Sequence, residues 1–553
     1  MRVQIGELLK SAGYINDKQL EIALKIKKLY PNKLLGEILK DLYFVSSLEI
    51  AKALALQSNK QYINLRDISP SEEALKVINK EAAIQFKVLP FKLDNKLHVA
   101  TDDPYNIVAF DLIKRRTNLE LEIYVVEEDL LTKYIQIYYF LLENPIEKQA
   151  EELLQRIRRE GINNVIQDVI KFIIDSAIVE RASDIHITPQ NLTLDVFFRV
   201  DGILRYFISF SKDTQQAIIS RIKVMSNMDI AEQRLPQDGS FSYKFLEENY
   251  DMRVSTVPTA FGENVVMRLL SKNLSMFTLE NLGFRESDLK ILIKQISKPH
   301  GILLLTGPTG SGKSTTLYSL IRKINVLERN VITVEDPIEY RFPFIKQTEV
   351  NEKIGYKFSS AIRSFLRQDP DVMLIGEIRD EETAEMAVRA SITGHLVLST
   401  LHTNTAVDAI PRLLNLGVDR TMLASSLNAV VSQRLVRKLC PFCKEETEYT
   451  KRYLVDIGFS EESVNRIIKD DAFKGYRAVG CKNCGGTGYV GRKIISEVLL
   501  IDKEIANMIA EGESVIKLSE KAREKGMIIL EESGLLDVLE GITTPEEILR
   551  IAG

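Results

Sequence analysis

Residues 301–317 read GILLLTGPTGSGKSTTL, and their pattern is the strongest indication of the fold. It opens with an apolar run that has the length of one buried strand. A glycine-rich turn follows, and then leucine and isoleucine recur at helical spacing through Leu317, Leu320 and Ile324. The turn fits the pattern G-x-x-x-x-G-K-[ST], whose known context is a strand followed by a helix. These residues therefore predict a phosphate-binding loop.

The chemistry expected of this loop follows from its residue types. Glycines let backbone N–H groups curl around a phosphate, and the start of the helix adds partial positive charge. Lys313 is expected to reach the β- and γ-phosphates, and Ser314 to hold Mg²⁺. A ligand-free glycine turn is the alternative, although the pattern arises by chance in a chain this long only about once in a hundred. The predicted nucleotide-contacting residues are Gly307, Pro308, Thr309, Gly310, Ser311, Gly312, Lys313, Ser314 and Thr315.

Three later apolar runs extend the pattern of the first strand. They read NVITVED, DVMLIGE and HLVLSTL, at 330–336, 371–377 and 395–401. Buried strands that alternate with helices predict a doubly wound parallel sheet. Ligands gather at the carboxyl ends of such strands, so acids there become candidates for metal and water chemistry, with solvated loop carboxylates as the alternative. These acids are Glu335, Asp336, Glu339 and Glu377.

Length and composition limit the class of protein. The chain has 553 residues, which predicts about three to five domains. It is 45% hydrophobic and 27% charged, as in ordinary folded proteins, and its net charge of -4 supplies no global basic field for nucleic acid. Apolar runs are too short for a spanning helix, and acids interrupt the N-terminus where a secretory signal would be apolar. We therefore expect a cytoplasmic protein without a nucleic-acid partner.

The four cysteines form two C-x-x-C pairs, Cys440 with Cys443 and Cys481 with Cys484. In a reducing compartment this duplicated spacing favours a metal over disulfides. Four thiolates close a tetrahedral structural zinc site and leave no position open for catalysis. A redox pair is the alternative, and the duplicated spacing and the glycines after Cys484 disfavour it.

The chain divides into segments of different pattern. An internal repeat opens it, because IGELLK at 5–10 returns as LGEILK at 35–40. Later segments show short alternating strands, a charged helix-prone stretch, a mixed pattern and finally the P-loop region. We predict a helical repeat domain at 1–58, an α+β domain at 59–140, a linker helix at 141–161, a mixed α/β domain at 162–290 and a P-loop domain at 291–553, the last including the zinc module at 440–484 and C-terminal helices at 497–553.

Taken together, the motifs resemble those of the secretion ATPase superfamily, specifically the type II secretion and type IV pilus assembly ATPases. The resemblance covers the chain from about residue 160 onward, and it rests on the tetracysteine pattern and on GPTGSGKSTT, TVEDPIEY, LRQDPDVMLIGEIRD and TGHLVLSTLHTNTA. It implies a RecA-like core and a PAS-like second domain. It also implies ATP as substrate and assembly into a homo-hexamer.

The resemblance also implies roles for single residues. Glu339 corresponds to the base that polarises the attacking water, and Glu377 to the Walker B acid. His395 and His402 correspond to the His box, with His402 as the sensor of the γ-phosphate. Core or surface histidines are the alternative. Four arginines correspond to residues that complete the site, namely Arg253, Arg268, Arg363 and Arg367; from the residues alone, each is a surface ion pair worth about 0–1 kcal/mol.

The N-terminal repeat resembles a two-motif domain that binds cyclic di-GMP in some of these ATPases. The typical copy begins Arg-Leu-Gly, whereas here the copies begin Gln4-Ile5-Gly6 and Leu34-Leu35-Gly36, so both guanine-contacting arginines are absent. Tyr43 also replaces a glycine of the second copy. Cyclic di-GMP binding is therefore doubtful, and we favour a docking domain for the cytoplasmic domain of an inner-membrane assembly protein.

The resulting expectation is a cytoplasmic motor, peripheral to the inner membrane, that hydrolyses ATP to drive pilin or pseudopilin polymerisation against a membrane platform protein. The motifs do not separate pilus assembly from type II secretion. A DNA-translocating motor is one alternative, but the near-neutral charge provides no basic channel. A regulatory scaffold with an inactive nucleotide site is the other, and intact Lys313, Glu339 and Glu377 disfavour it.

Overall fold

The computed structural model describes residues 4–271 and 278–552. Two compact units are present, one formed by Met1–Lys40 with Val45–Ser275 and the other by Asp41–Phe44 with Met276–Gly553. Each unit has its own hydrophobic cores and is described by itself.

The first unit begins with four short helices, α1 (Ile5–Ser11), α2 (Asp17–Leu29), α3 (Leu35–Asp41) and α4 (Ser47–Ser58). Asn16 caps α2 and Ser46 caps α4, each in a reciprocal capping box. The second helix of each copy of the repeat therefore begins with the same kind of cap. Gly13 has φ 75°, and Tyr43, thirty residues later, has φ 57°. Tyr43 therefore adopts the left-handed conformation that glycine adopts in the first copy.

Residues 61–143 form a small α+β layer. Its sheet has the order β1-β4-β3-β2, and the helices pack on it around buried residues such as Leu89, Val99 and Leu131. The elements are β1 (Gln61–Tyr62), α5 (Glu72–Val77), α6 (Lys80–Phe86), β2 (Val88–Leu93), β3 (Leu97–Thr101), α7 (Ile107–Thr117), β4 (Leu121–Val125) and α8 (Glu128–Glu143).

The rest of the first unit is a six-stranded antiparallel sheet with helices on one face. Strand order is β7-β6-β5-β10-β9-β8, and alternate residues of β6 are buried, as expected for a sheet with one covered face. The predicted linker stretch is helical, and Leu153 of that helix is buried in this core. The elements are α9 (Ile146–Glu160), α10 (Ile162–Val179), β5 (Asp184–Pro189), β6 (Thr193–Val200), β7 (Ile203–Ser211), α11 (Gln215–Met225), β8 (Gln237–Phe245), β9 (Glu248–Thr259) and β10 (Gly262–Ser271).

The second unit is built on a seven-stranded sheet of order β13-β12-β14-β15-β11-β16-β19. All neighbours are parallel except β16 and β19. Helices cover both faces, and each face has its own apolar core. The elements that lead to β16 are α12 (Leu279–Leu282), α13 (Glu286–Ile296), β11 (Gly301–Thr306), α14 (Lys313–Lys323), β12 (Val331–Glu335), β13 (Lys346–Glu349), α15 (Phe358–Phe365), β14 (Val372–Ile375), α16 (Glu381–Ile392), β15 (Leu396–Leu401), α17 (Ala409–Asn415), α18 (Arg420–Ser426) and β16 (Leu427–Leu439).

The C-terminal part of the unit packs around β16 and β19. A two-stranded sheet of β17 and β18 follows the first cysteine pair, and helices complete the region. Its elements are β17 (Glu445–Thr450), α19 (Lys451–Ile457), α20 (Glu461–Ile467), β18 (Ala472–Arg477), β19 (Tyr489–Leu500), α21 (Lys503–Glu511), α22 (Val515–Glu524), α23 (Leu530–Leu539) and α24 (Pro545–Ala552).

The prediction of a multidomain mixed α/β protein is confirmed, and the four predicted core strands are β11, β12, β14 and β15. Two strands that the sequence pattern did not indicate, β5 and β8, complete the antiparallel sheet of the first unit. Within the described residues, no helix is both long and apolar enough to cross a bilayer.

A buried carboxylate ties the C-terminal helix to β16. The Glu547 side chain is 0% exposed and accepts hydrogen bonds from the Arg437 guanidinium at 2.7 Å and the Arg550 guanidinium at 2.6 Å. It also accepts the backbone N–H of Arg437 at 3.0 Å. Burial opposes its ionisation, but the two arginines outweigh burial and lower the pKa of Glu547.

Glu547→Ala should therefore destabilise the protein by about 3 kcal/mol, because it leaves two cations in a partly buried site without their counter-charge. Thermal unfolding measures this, and exposed Glu546→Ala is the matched control, with an expected change within about 0.5 kcal/mol. The Glu547 contribution should be present above the carboxyl pKa of the unfolded chain and fade as the pH falls towards the lower folded pKa. Equal melting temperatures for the two variants at neutral pH would contradict this role.

Candidate nucleotide site and cysteine cluster

The P-loop joins β11 to α14 and has the backbone conformation that its glycines permit. Gly307, Gly310 and Gly312 have φ of 140°, 80° and 89°. A Cβ on Gly307 would lie 2.6 Å from the carbonyl oxygen of Gln433 and 2.7 Å from the Ser311 hydroxyl. The close approach of β16 therefore demands glycine at this position, in addition to the backbone angle.

Lys313 begins α14 and points back into the loop. Its ammonium donates to the carbonyl oxygens of Gly307 at 2.8 Å and Pro308 at 3.0 Å. Burial lowers the pKa of Lys313 to about 8; the nearby charge of Arg434 adds to this effect, and Glu377 opposes it. The Ser311 hydroxyl is buried and has no hydrogen-bond partner among the described residues. A glycine cradle, a buried cation and an orphan hydroxyl together fit a phosphate.

Glu377 and His402 lie at the same edge of the sheet as the loop. Glu377 follows β14, pairs with the Arg379 guanidinium and lies 3.6 Å from His402 Nε2. Burial lowers the pKa of His402, and the charge of Lys313 lowers it further, so the imidazole is neutral near pH 7. The structure thus brings together three of the predicted residues, Lys313, Glu377 and His402.

The acids that follow β12 have different surroundings. Glu335 is buried and accepts hydrogen bonds from the Tyr318 hydroxyl, from Thr333 at 2.5 Å and from Gln347 at 3.0 Å. These donors hold Glu335 inside the core at the end of β12. Its role at the nucleotide site stays a prediction.

The two other acids of this segment are more open. Asp336 is exposed and lies 3.9 Å from the Arg379 guanidinium. Glu339 is partly buried in the loop that joins β12 to β13. Burial raises the pKa of Tyr340, and the charge of Glu339 adds to this shift.

His395 is not brought to the P-loop of its own chain. It immediately precedes β15, whereas His402 immediately follows the strand, and six residues of strand span roughly 20 Å. Its Nδ1 lies 2.8 Å from the Ala390 carbonyl, and its own carbonyl accepts the N–H of Gly301 at the start of β11. His395 therefore lies at the amino edge of the sheet, opposite the loop.

The predicted arginines form two groups, one in each unit. Arg363 and Arg367 are exposed, the first paired with Glu382 at 2.5 Å and the second bonded to the Arg363 carbonyl at 2.9 Å. In the first unit, Arg253 on β9 lies directly opposite Arg268 on β10, and Arg268 pairs with Asp184 at 3.0 Å. Their action on nucleotide stays a prediction.

The four cysteines converge as predicted. Their sulfur atoms all lie within 4.8 Å of one another. Cys440 to Cys481, Cys443 to Cys484 and Cys481 to Cys484 are each 3.8 Å. A tetrahedron with zinc–sulfur bonds of about 2.3 Å has edges of about 3.8 Å, so this spacing suits zinc.

Backbone N–H groups also support the thiolates of the cluster. Those of Gly480 and Gly488 donate to Cys443 and Cys484 at 3.3 and 3.1 Å. Burial opposes ionisation of Cys484, but the N–H groups of Cys481 and Gly488 outweigh it and lower the pKa of Cys484 to about 6. The donor set and its surroundings therefore fit a bound cation.

Two residues that contact the loop were not found from the sequence. Gln433 and Arg434 lie on β16. In the sequence they look like ordinary polar residues of a strand, and no motif marks them. Gln433 Nε2 donates to the Ser311 carbonyl at 2.8 Å. The length of β16, 13 residues, shows that the strand runs past the end of β11 and lies beside the loop.

Comparison with protein families gives two matches. Residues 159–550, which are most of the chain, match the family described as "Type II/IV secretion system protein". Residues 58–143 match the family described as "MshEN domain". The second match lies after the helical repeat and coincides with the small α+β layer.

Curated relatives agree with the first match. The chain is 37% identical to the type IV pilus assembly ATPase PilB of Myxococcus xanthus over 99% of both chains. It is 40% identical to PilB of Thermus thermophilus over 90% of this chain and 57% of that protein, so it spans little more than half of that relative. It is also 46% identical to type II secretion system protein E of Pseudomonas aeruginosa, over 69% of this chain and 74% of the relative.

Among solved structures, the ATPase DotB of Legionella pneumophila matches with a TM-score of 0.50. The match covers 69% of this chain and 94% of DotB at 19% identity, which shows a shared fold. The chain therefore belongs to the type II/IV secretion system protein family, which includes the type IV pilus assembly ATPases and the type II secretion ATPases.

Proposed function

We propose that the P-loop binds ATP with Mg²⁺ and that the acids at the same sheet edge direct its hydrolysis. The observation that carries this is the convergence of Lys313, Glu377 and His402 at the carboxyl edge of a parallel sheet. Ser314 and Glu377 offer the oxygen ligands that Mg²⁺ prefers. Bound there, the ion supplies neutralisation of phosphate charge.

The side chains divide the work of phosphoryl transfer. Lys313 exchanges the two loop carbonyls for phosphate oxygens, and the neutral imidazole of His402 donates one hydrogen bond to the γ-phosphate. Glu339, in the loop that joins β12 to β13, accepts a proton from the attacking water or orients that water. The resemblance to the family assigns Arg253, Arg268, Arg363 and Arg367 as arginine fingers, and we propose that they act between subunits of a homo-hexamer.

The mechanical output is the polymerisation of pilin or pseudopilin. This proposal draws on the near full-length similarity to a pilus assembly ATPase of Myxococcus xanthus. The chain would act at the cytoplasmic face of the inner membrane, with a platform protein and the cytoplasmic domain of an assembly protein as partners. The helical repeat is the proposed docking domain. Both Arg-Leu-Gly arginines are replaced in it, which disfavours cyclic di-GMP binding by the repeat.

The cysteine cluster is proposed as a structural zinc site. All four ligand positions are thiolates. The ion would therefore link the turn between β16 and β17 to the turn that precedes β19. Its chemistry is the tethering of two loops, and no substrate position is left open.

Hydrolysis is tested by steady-state phosphate release. Lys313→Ala should abolish nucleotide binding and reduce turnover to background, and Glu339→Gln should reduce turnover by about 100-fold with ATP still bound. Exposed Glu385→Gln on α16 is the control and should keep wild-type turnover. Unchanged turnover in both site variants would exclude this assignment.

Zinc is tested by metal analysis after gel filtration. The wild-type protein should retain about one zinc per chain, and Cys481→Ser with Cys484→Ser should lose it and melt at a lower temperature. Asn483→Ser, between these two cysteines, should keep the metal. A folded wild-type protein purified without any metal would refute the site.

The partner proposal is tested by pull-down from native membranes. A tagged full-length chain should recover a pilin-like or pseudopilin-like subunit together with a polytopic membrane protein, and deletion of 1–58 should lose the assembly protein while ATPase activity persists. Recovery of DNA-processing proteins instead, with hydrolysis stimulated by duplex DNA, would favour the DNA-translocating alternative.

A further inference from the structure

Strand β16 passes beneath the P-loop and contributes three consecutive buried polar residues there. Thr306, the last residue of β11, pairs with Ser432. Beyond this point β16 runs past the end of β11 along the loop, still paired with β19 on its other side. It carries Gln433 and Arg434 there, which are 0% and 8% exposed. Polar and charged side chains are rarely buried, because their burial costs free energy unless they are hydrogen-bonded or paired.

Gln433 contacts the loop from below. Its amide nitrogen donates to the Ser311 carbonyl at 2.8 Å, and its own backbone carbonyl sets the close approach at Gly307. Its amide oxygen is buried and has no hydrogen-bond partner in the described part of the chain, as is true of the Ser311 hydroxyl. The hydrogen bond from Gln433 to the Ser311 carbonyl therefore joins the loop to β16.

Arg434 joins the loop to the segment after His402. Its guanidinium donates to the Asn404 carbonyl at 2.8 Å and to the Gln433 carbonyl at 3.1 Å, and lies 3.1 Å from the position of a Cβ on Gly307. Ser432 adds a second hydrogen bond to the Asn404 carbonyl at 3.0 Å. Arg434 thus touches both segments that carry the predicted phosphate contacts.

The charge of Arg434 faces neutral hydrogen-bond acceptors. Within residues 4–271 and 278–552, no carboxylate lies within ion-pair distance of it, and both of its hydrogen-bond acceptors are neutral carbonyls. Glu497 is the acid whose charge acts on the pKa of Arg434. Its carboxylate is buried and accepts a hydrogen bond from the Ala406 N–H at 2.8 Å. A buried cation without a paired acid raises the positive potential around the loop.

We propose that Arg434 is a positioning residue for the triphosphate, which stabilises phosphate charge from beneath the P-loop and holds the His402 segment in register with Lys313. The inference rests on the proposed function, since it assigns this charge to bound ATP. Arg434 need not touch phosphate. Its field acts across the loop, and its hydrogen bond to the Asn404 carbonyl ties the segment after His402 to β16, which lies against Gly307.

The test compares the binding of fluorescent ATP and ADP analogues at low and moderate salt. Arg434→Gln removes the charge and keeps a donor; it should weaken ATP binding by about tenfold and ADP binding less, because ADP carries one fewer phosphate. Arg434→Lys keeps the charge and should retain most of the preference for ATP. Exposed Arg389→Gln removes the same charge from the surface and should change neither affinity.

Different outcomes separate the two proposals. If Lys313→Ala still binds ATP normally, the proposed nucleotide site itself is wrong. If Lys313→Ala loses ATP binding but Arg434→Gln keeps the wild-type ratio of ATP affinity to ADP affinity, the role of Arg434 is overturned. An equal fall in both affinities leaves this ratio unchanged and therefore counts as the same result. If Arg434→Gln does not fold, the test depends on Arg434→Lys. This variant keeps the charge, so a folded Arg434→Lys protein that has lost its preference for ATP over ADP would contradict the electrostatic role.

Discussion

The parallel pairing of β11 with β15, of β15 with β14 and of β14 with β12 is the constraint on which the site depends. Because parallel strands end at one edge, this register gathers residues that are up to about ninety positions apart in the sequence. Lys313 follows β11 and its loop, Glu377 follows β14, and His402 follows β15. An antiparallel strand in the middle of the sheet would send one of them to the opposite edge.

Strand β16 extends this constraint to the C-terminal region. It lies beside β11, passes under the P-loop at Gln433 and ends immediately before Cys440. One extended segment therefore carries a P-loop contact and the first metal-ligand candidate. The buried pairing of Arg437 with Glu547 lies between them on the same strand. Strand β16 thus connects the P-loop with the cysteine cluster and with α24.

Local signals made much of this predictable. The P-loop, the four apolar strands and the tetracysteine pattern are short patterns whose chemistry is contained in a few adjacent residues. What the sequence did not reveal depends on three-dimensional context. Glu335 looks like its neighbours Asp336 and Glu339, but Tyr318, Thr333 and Gln347 bond it inside the core.

The two histidines and β16 illustrate the same limit. His395 and His402 are seven residues apart in one motif, and the length of β15 alone separates them to opposite edges of the sheet. Arg434 is one of many arginines in the sequence, and only its burial beside Gly307 distinguishes it. Strand direction and burial thus decide which members of a motif share a site.

In the proposed site, ATP is bound by Lys313 together with His402. A structure of the chain with Mg²⁺ and a non-hydrolysable ATP analogue would show this binding. We expect the Lys313 ammonium to leave the carbonyls of Gly307 and Pro308 for the β- and γ-phosphates, with the His402 imidazole within hydrogen-bond distance of the γ-phosphate. A nucleotide bound elsewhere, or a Lys313 that keeps both carbonyl bonds while the analogue is present, would contradict it.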